Sequence, residues 1–217
     1  MSAGFQSWND SGTVQIDENY TSMTLVTSPT ITINTTDTYF DIASANPIVF
    51  LGNTSGAYVR MTSRVNLGGS VWRYTFSANV AINVRLYCFD QAAPSSSNYG
   101  MQIFNGSGVL VFDSNSPFLR LSAIHQVVGT ASNSFAVPQD GRAYAAALTY
   151  TRLSVQGPIL IGQQAWYYTF QDFLQVAGNQ LLVTHGQTNR FPGQNAFAYP
   201  PPTQNPPQVL MVDVTYL

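Results

Sequence analysis

Lysine is absent from this chain of 217 residues, and its eight cationic side chains are all arginine. Charged residues make up only 8% of the sequence, whereas soluble domains usually contain roughly 25%. Solvation therefore depends on Ser, Thr, Asn, Gln and Gly, and so weakly charged a surface gives little repulsion between copies. We expect the protein to work in an assembly, as a homo-oligomer. A monomer that tolerates a neutral surface is the alternative.

An excess of charge of either sign is also lacking. The formal net charge is −2 and the arginines are scattered, which excludes the basic stripe of a nucleic-acid-binding protein. A single cysteine, Cys88, cannot form a disulfide within the chain and is expected to pack as a small hydrophobic residue. With no secretory signal and no apolar run long enough to span a bilayer, we expect synthesis in a cytoplasm and no membrane insertion.

Helical periodicity is missing from every window of the sequence. Short runs rich in Val, Ile, Thr, Tyr and Phe are separated by Gly, Asn, Ser or Pro, which predicts an all-β sandwich or barrel. The clearest alternation lies in Val71–Phe76, where Trp72, Tyr74 and Phe76 share one face of a strand. The predicted architecture is all-β, with two tandem, related antiparallel β-sandwich or jelly-roll-like units.

Two stretches of the chain repeat one pattern at a constant offset of 96 residues, Gly4–Leu25 and Gly100–Leu121. Each is an apolar run, a polar turn that contains Gly, and a second apolar run closed by Asp, which predicts a β-hairpin. A shorter echo, Trp-x-Tyr-Thr-Phe, relates Trp72–Phe76 to Trp166–Phe170 at an offset of 94. Together they predict an internal duplication. Independent hairpins that share a pattern are the alternative.

A Pro- and Ser-rich segment at residues 93–98 is the best candidate for a linker. It divides the chain into an N-terminal β-sandwich, residues 1–92, and a C-terminal β-sandwich, residues 99–217. The second unit contains a Pro-rich, extended arm at residues 186–208 and a final strand at residues 209–217. Such an arm either folds back over its own domain or reaches a neighbouring subunit.

No combination of residues indicates an active site, a cofactor site or a metal site. His125 and His185 have no metal-ligating residue at the usual spacing, and no local pattern places either beside a serine nucleophile. Asp17 and Asp113 resemble the paired acids of a glycosidase, but their equivalent positions in repeated hairpins indicate carboxylates that cap turns. We predict that the protein is not an enzyme and uses no cofactor.

Candidate binding residues are therefore sought on the surface. Trp166 and its neighbours at alternate positions are expected to pack in the core, so that Tyr167, on the opposite face, is expected to be exposed. The arm supplies further aromatic and proline side chains. The candidate interaction surface comprises Tyr167, Arg190, Tyr199, Pro200, Pro201 and Pro202.

The sequences GFQSWNDSGTVQID and YGMQIFNGSGVLVFDSNSPFLRL resemble the repeated hairpins of small tail proteins of siphophages and related prophages. In the first copy the resemblance rests on Gly4, Gln6, Asn9, Gly12 and Asp17. In the second copy it rests on Tyr99, Gly100, Gln102, Phe104, Asn105, Gly108, Phe112, Asp113 and Ser114.

This resemblance implies a structural virion protein of the distal tail, at the tail tip, the baseplate or a fibre attachment, and it implies no catalytic residues. The expected partners are other phage tail proteins and further copies of the chain, with a trimer favoured. The expected location is the virion tail, after synthesis in the bacterial cytoplasm. The alternative is a receptor-binding module that recognises a host-surface glycan or a pilus.

Overall fold

The structure, a computed structural model, describes residues 22–94, 97–193 and 206–217 in full, and residues 6–8 and 14–17 by their backbone. These residues form β-strands, turns and irregular segments, with no helix among them. The prediction of an all-β fold is confirmed. The strands of the first half are β1 Gln6–Trp8, β2 Val14–Asp17, β3 Thr24–Thr27, β4 Thr30–Ile33, β5 Thr38–Ala43, β6 Ile48–Leu51, β7 Val59–Gly68, β8 Val71–Ala78 and β9 Ile82–Asp90.

The second half contributes as many strands and includes the two longest, β16 and β17. They are β10 Gln102–Phe104, β11 Leu110–Asp113, β12 Arg120–Gln126, β13 Asn133–Ala136, β14 Tyr144–Leu148, β15 Leu153–Ile161, β16 Gln164–Val176, β17 Gln180–Pro192 and β18 Gln208–Asp213.

Two antiparallel sheets of seven strands each form a β-sandwich. The first sheet has the order β12-β18-β14-β6-β9-β3, with β4 beside β9, and the second has the order β13-β17-β16-β7-β8-β5, with β15 beside β16. Alternating side chains place one face of each sheet against the other. The largest buried cluster lies between the sheets and combines residues of both halves, among them Leu86 and Leu174.

The centre of the first sheet is buried on both of its faces, which explains the uninterrupted apolar runs Ile48–Leu51 in β6 and Leu86–Phe89 in β9. Val49 and Leu51 belong to the cluster between the sheets, whereas Phe50 belongs to a second cluster on the opposite face. Phe50 and Phe89 meet there edge to face, with their ring centroids 5.8 Å apart. Cys88 is buried on the inner face with Val49 and Leu51. Burial raises the pKa of its thiol to about 12, in agreement with its expected role as a small hydrophobic residue.

The two halves of the chain have the same strand pairing. In the first half β9 pairs with β3 and β6, and β8 pairs with β5 and β7. In the second half β18 pairs with β12 and β14, and β17 pairs with β13 and β16. The equivalent strands follow one another in the same order along the chain. This topology supports the predicted internal duplication.

Each sheet continues from one half into the other through equivalent strands. β6 pairs with β14 at Leu51 and Ala146, and β7 pairs with β16 at Val59 and Leu174. Both contacts are antiparallel, as a pseudo-twofold axis between related halves requires. The segment at 93–98 therefore separates two sets of strands but does not separate the sheets, which both halves share.

The repeated hairpins agree in detail. β1 pairs with β2 from Gln6 opposite Asp17 to Trp8 opposite Val14, with an irregularity after Ser7. β10 pairs with β11 at positions 96 residues further on, with the irregularity at the equivalent place. In contrast, the Trp-x-Tyr-Thr-Phe echo joins β8 to β16, which are not equivalent in the topology. The use of this echo as evidence for the duplication is therefore wrong.

The C-terminal segment differs from its predicted bounds. β17 runs through Pro192, so the first residues of the predicted arm at 186–208 belong to the second sheet. Residues 194–205 of the arm lie outside the described residues. The final strand, predicted at 209–217, is β18, Gln208–Asp213, which pairs with β12 on one side and β14 on the other. The last strand of the chain thus lies inside the first sheet.

Candidate functional site

A buried polar network joins β15, β16 and β17 through their side chains. The Ser154 hydroxyl lies 2.7 Å from His185 Nε2, and His185 Nδ1 lies 3.0 Å from Asp172 Oδ1. Arg152 donates from Nε to Asp172 Oδ2 and from Nη2 to Asp172 Oδ1, each at 2.8 Å. The cross-strand pairs of the sheet create this arrangement, because Asp172 lies opposite His185 in the register of β16 and β17.

Serine, histidine and aspartate are connected in the same order as in a serine-hydrolase triad. Ser154 and Asp172 are both 0% exposed, however, and both Asp172 oxygens are occupied by the Arg152 guanidinium. A nucleophile must touch its substrate, and a fully buried hydroxyl gives a substrate no access. In this conformation the network stabilises the β15–β16–β17 region through buried hydrogen bonds and an ion pair.

Asp113, at the end of the second hairpin, is also completely buried. Its carboxylate accepts hydrogen bonds from Gln102 Nε2 at 2.9 Å, from the Asn115 amide at 2.8 Å, and from the Ser97 amide and hydroxyl, each at 2.8 Å. These donors, the Gln102 amide first, hold the pKa of Asp113 well below its ordinary value. Asp113 therefore caps a turn, as predicted, while the side chain of Asp17 lies outside the described residues.

An open cleft of about 400 Å³ lies between the halves on the second sheet. It forms where β15 replaces β7 as the neighbour of β16. β7 pairs with β16 at Leu174, whereas β15 pairs with the part of β16 between Gln164 and Gln171. Nearly every side chain that lines the cleft carries a hydroxyl, an amide or a charge. The lining residues are Asp37, Arg60, Thr62, Leu153, Thr169, Gln171, Thr188 and Asn189.

Arg60 is the fixed cation of this cleft. Its Nε donates to the Ser77 hydroxyl at 2.7 Å, its Nη1 donates to Gln171 Oε1, and its guanidinium lies 5.5 Å from the centroid of the Phe173 ring. Burial lowers the pKa of Arg60, and the nearby charge of Asp37 opposes that shift. The arginine therefore joins β7 of the first half to β16 of the second.

A free sheet edge with an apolar tip projects beside the cleft. β15 pairs with β16 along one side, and no strand of the described ranges pairs with its other side. Ile159, Leu160 and Ile161 at its tip are exposed, Leu160 by 71%. The strand carries no charged residue, although charged side chains are a common device that keeps free edges from pairing.

The predicted interaction residues have different outcomes. Tyr167 was expected to be exposed, which is wrong, because its ring is only 3% exposed. It stacks on Phe191 and lies against Gly157, where a Cβ would come within 2.9 Å of the ring and within 2.7 Å of the Trp166 carbonyl oxygen. Arg190 is exposed, 4.9 Å from the Trp166 ring centroid.

The remaining candidates, Tyr199, Pro200, Pro201 and Pro202, lie outside the described residues. Elsewhere, no group of three or more His, Cys, Asp or Glu side chains within the described ranges is arranged to hold a metal ion. The same ranges contain no helix long and apolar enough to cross a membrane.

Sequence reasoning missed the cleft and the Ser154–His185–Asp172 network. Both bring together residues from distant strands, and the register that aligns them carries no local motif. A usable signal was present for β15: a strand-like run without charge, LSVQGPILI, indicates an edge that nothing protects. No family model, curated protein or solved structure matches this chain.

Proposed function

We propose that this protein is a structural subunit of a bacteriophage tail and that it works by assembly with other tail proteins and with copies of itself. The repeated hairpins support the tail assignment through the resemblance of their sequences. The free edge and exposed aliphatic tip of β15 are the observation that carries the assembly proposal.

The contact that we propose for β15 is with a second copy of the chain. An antiparallel edge is its own complement, so one β15 edge offers matching donors and acceptors to another. Pro158 removes one donor from the strand, which leaves Ile159–Ile161 as the continuous part. Contact between two such tips buries apolar surface, and each Å² removed from water stabilises the contact by roughly 25 cal/mol. The strand carries no charged side chain that would oppose this contact. Such a self-complementary contact joins two copies about a twofold axis, so the trimer expected from the sequence needs a further contact and stays a prediction.

The tail assignment is tested on particles from a bacterial strain that encodes the chain. Tails are purified after induction, and their proteins are quantified by mass spectrometry beside the other tail components. We expect the chain to be present in several copies per tail and to be labelled at the distal end by a specific antibody in electron microscopy. Its absence from intact, infective particles would overturn the proposal.

A further inference from the structure

The cleft between the halves has the composition of a ligand site, independently of any assembly through β15. We propose that it binds a neutral saccharide through the hydroxyl groups of the sugar. Its volume of about 400 Å³ lies within the usual range for small-molecule sites, roughly 300–1,000 Å³. Among the described residues that line it, Leu153 is the one aliphatic side chain, so an apolar ligand would leave the polar groups without partners.

The donors and acceptors of the cleft match those of a sugar. Asp37 only accepts hydrogen bonds and Arg60 only donates them. The side-chain oxygens of Gln171 and Asn189 already accept from Arg60 and from the Arg190 amide, so these two residues offer their NH₂ groups as donors. The threonine hydroxyls of the lining donate to backbone carbonyls and keep lone pairs as acceptors. A sugar hydroxyl donates once and accepts as well, so adjacent hydroxyls require this mixture. Because the described lining of the cleft has one anionic and one cationic group, it favours a neutral ligand over a charged one.

Part of the site is held in place before any ligand arrives. Arg60 is fixed by Ser77, Gln171 and the Phe173 ring. Thr169 and Thr188 are fixed to each other, with their hydroxyls 2.9 Å apart. Groups that are already ordered lose little conformational entropy when a ligand binds.

Asp37 has the spare capacity to accept hydrogen bonds. It is exposed, its contact with Thr62 Oγ1 is long at 3.5 Å, and it forms no ion pair with any cation of the described residues. A carboxylate with free lone pairs can accept hydrogen bonds from two adjacent hydroxyls, and bonds to a charged acceptor are the stronger kind. We therefore assign Asp37 the main role in holding the sugar.

The site requires residues from both halves of the chain. Asp37, Arg60 and Thr62 come from the first half, whereas Gln171 and Thr188 come from the second. The contact of β7 with β16 brings these residues to one place. The tip of β15, with Leu160, lies at the opposite end of that strand from Leu153, so assembly and sugar binding can be tested separately.

The test is a titration of the ¹⁵N-labelled full chain, followed by amide chemical shifts. The probes are glucose, galactose, mannose, N-acetylglucosamine and rhamnose, with glucuronate as a charged analogue. We expect saturable shifts, with at least one neutral sugar, of amides at Asp37, Arg60, Thr62 and Thr188. Asp37→Asn should weaken this binding about tenfold or more, since a hydrogen bond to a charged group contributes roughly 1.5–3 kcal/mol.

Asp41→Asn is the matched control, because Asp41 lies in β5 of the same sheet and pairs with Arg73 outside the cleft. It should leave the sugar affinity unchanged. Three results would overturn the inference: no saturable shift with any neutral sugar, equal losses in Asp37→Asn and Asp41→Asn, or tighter binding of glucuronate than of glucose. None of them bears on the tail assignment, which depends on the particles.

Discussion

Asp172 is the residue on which the region of β15, β16 and β17 depends most. Arg152 is 3% exposed at its side chain and Asp172 is 0% exposed, and His185 completes the set of donors at 3.0 Å. Removal of the carboxylate leaves the Arg152 charge buried without an anionic partner, with only the Gly129 carbonyl still accepting from Nη1. We expect Asp172→Asn to lower the free energy of unfolding by about 3–5 kcal/mol in urea denaturation.

Asp41→Asn is the comparison for this substitution as well, since it breaks an exposed pair at 2.6 Å. Its expected cost is much smaller, because solvent screens such exposed pairs. Equal costs for the two variants would show that the buried network does not contribute as described. Reaction of Ser154 with a fluorophosphonate probe would contradict its enclosure.

Sequence alone could predict some of these residues and not others. Asp113 was identified as a turn residue because it ends a repeated motif, and its four hydrogen bonds agree. Ser154, Asp172 and His185 lie on three strands, and none has a neighbour in sequence that indicates its partner. The exposure of Tyr167 was predicted wrongly because strand alternation ignores the space that Gly157, which has no side chain, leaves for a ring.

At the scale of single elements, the second hairpin depends on the ionisation of Asp113. The pKa of its carboxyl group is lowered in the folded protein by hydrogen bonds from Gln102, Asn115 and Ser97, whereas an unfolded aspartate has a pKa of about 3.9. A lowered folded pKa means that the charged form stabilises the hairpin fully above about pH 4. That stabilisation is lost as the pH falls through the folded pKa.

We therefore expect the amides of Ser97 and Asn115 to lose hydrogen-exchange protection progressively as the pH falls from about 4 towards the lowered pKa of Asp113. In Asp113→Asn the loss should appear already at neutral pH and should not change with further acidification. An Asp113 carboxyl that titrates at its ordinary value in a carbon-detected NMR experiment would contradict the hydrogen-bond network.

The hairpins were also the elements that could be predicted best. Their turn residues and their two-residue alternation are local, so the sequence specifies both the register and its irregularity. β17 was predicted less well, because the Gln- and Asn-rich residues beyond His185 lack apolar alternation. They extend the strand through Pro192 by pairing with β16, where Trp166 lies opposite Pro192. Tertiary pairing outweighs local composition at this position.

At the scale of the whole molecule, the shared sheets predict cooperative unfolding. The main core cluster contains Leu86 of the first half and Leu174 of the second, at 0% and 2% exposure. Leu86→Ala and Leu174→Ala should each cost about 2–5 kcal/mol. We expect both variants to lower the midpoint of the same calorimetric transition, with the calorimetric and van't Hoff enthalpies equal.

Two separable transitions, each sensitive to one substitution, would show that the halves unfold independently despite their common sheets. The junction itself could not be predicted from sequence. Strands of two separate sandwiches and strands of one continuous sandwich have the same alternation of apolar residues. The difference lies in single contacts, Leu51 with Ala146 and Val59 with Leu174.

Assembly through β15 is the central claim, and sedimentation of the full chain tests it most directly. Leu160→Asp places a charge at the exposed tip, and Val128→Asp makes the same change at an equally open position that lies outside β15, Val128 being 68% exposed. We expect the wild type and Val128→Asp to sediment as the same oligomer and Leu160→Asp to sediment as a monomer. A wild-type chain that stays monomeric at high concentration, or a Leu160→Asp chain that still forms the oligomer, would contradict the account.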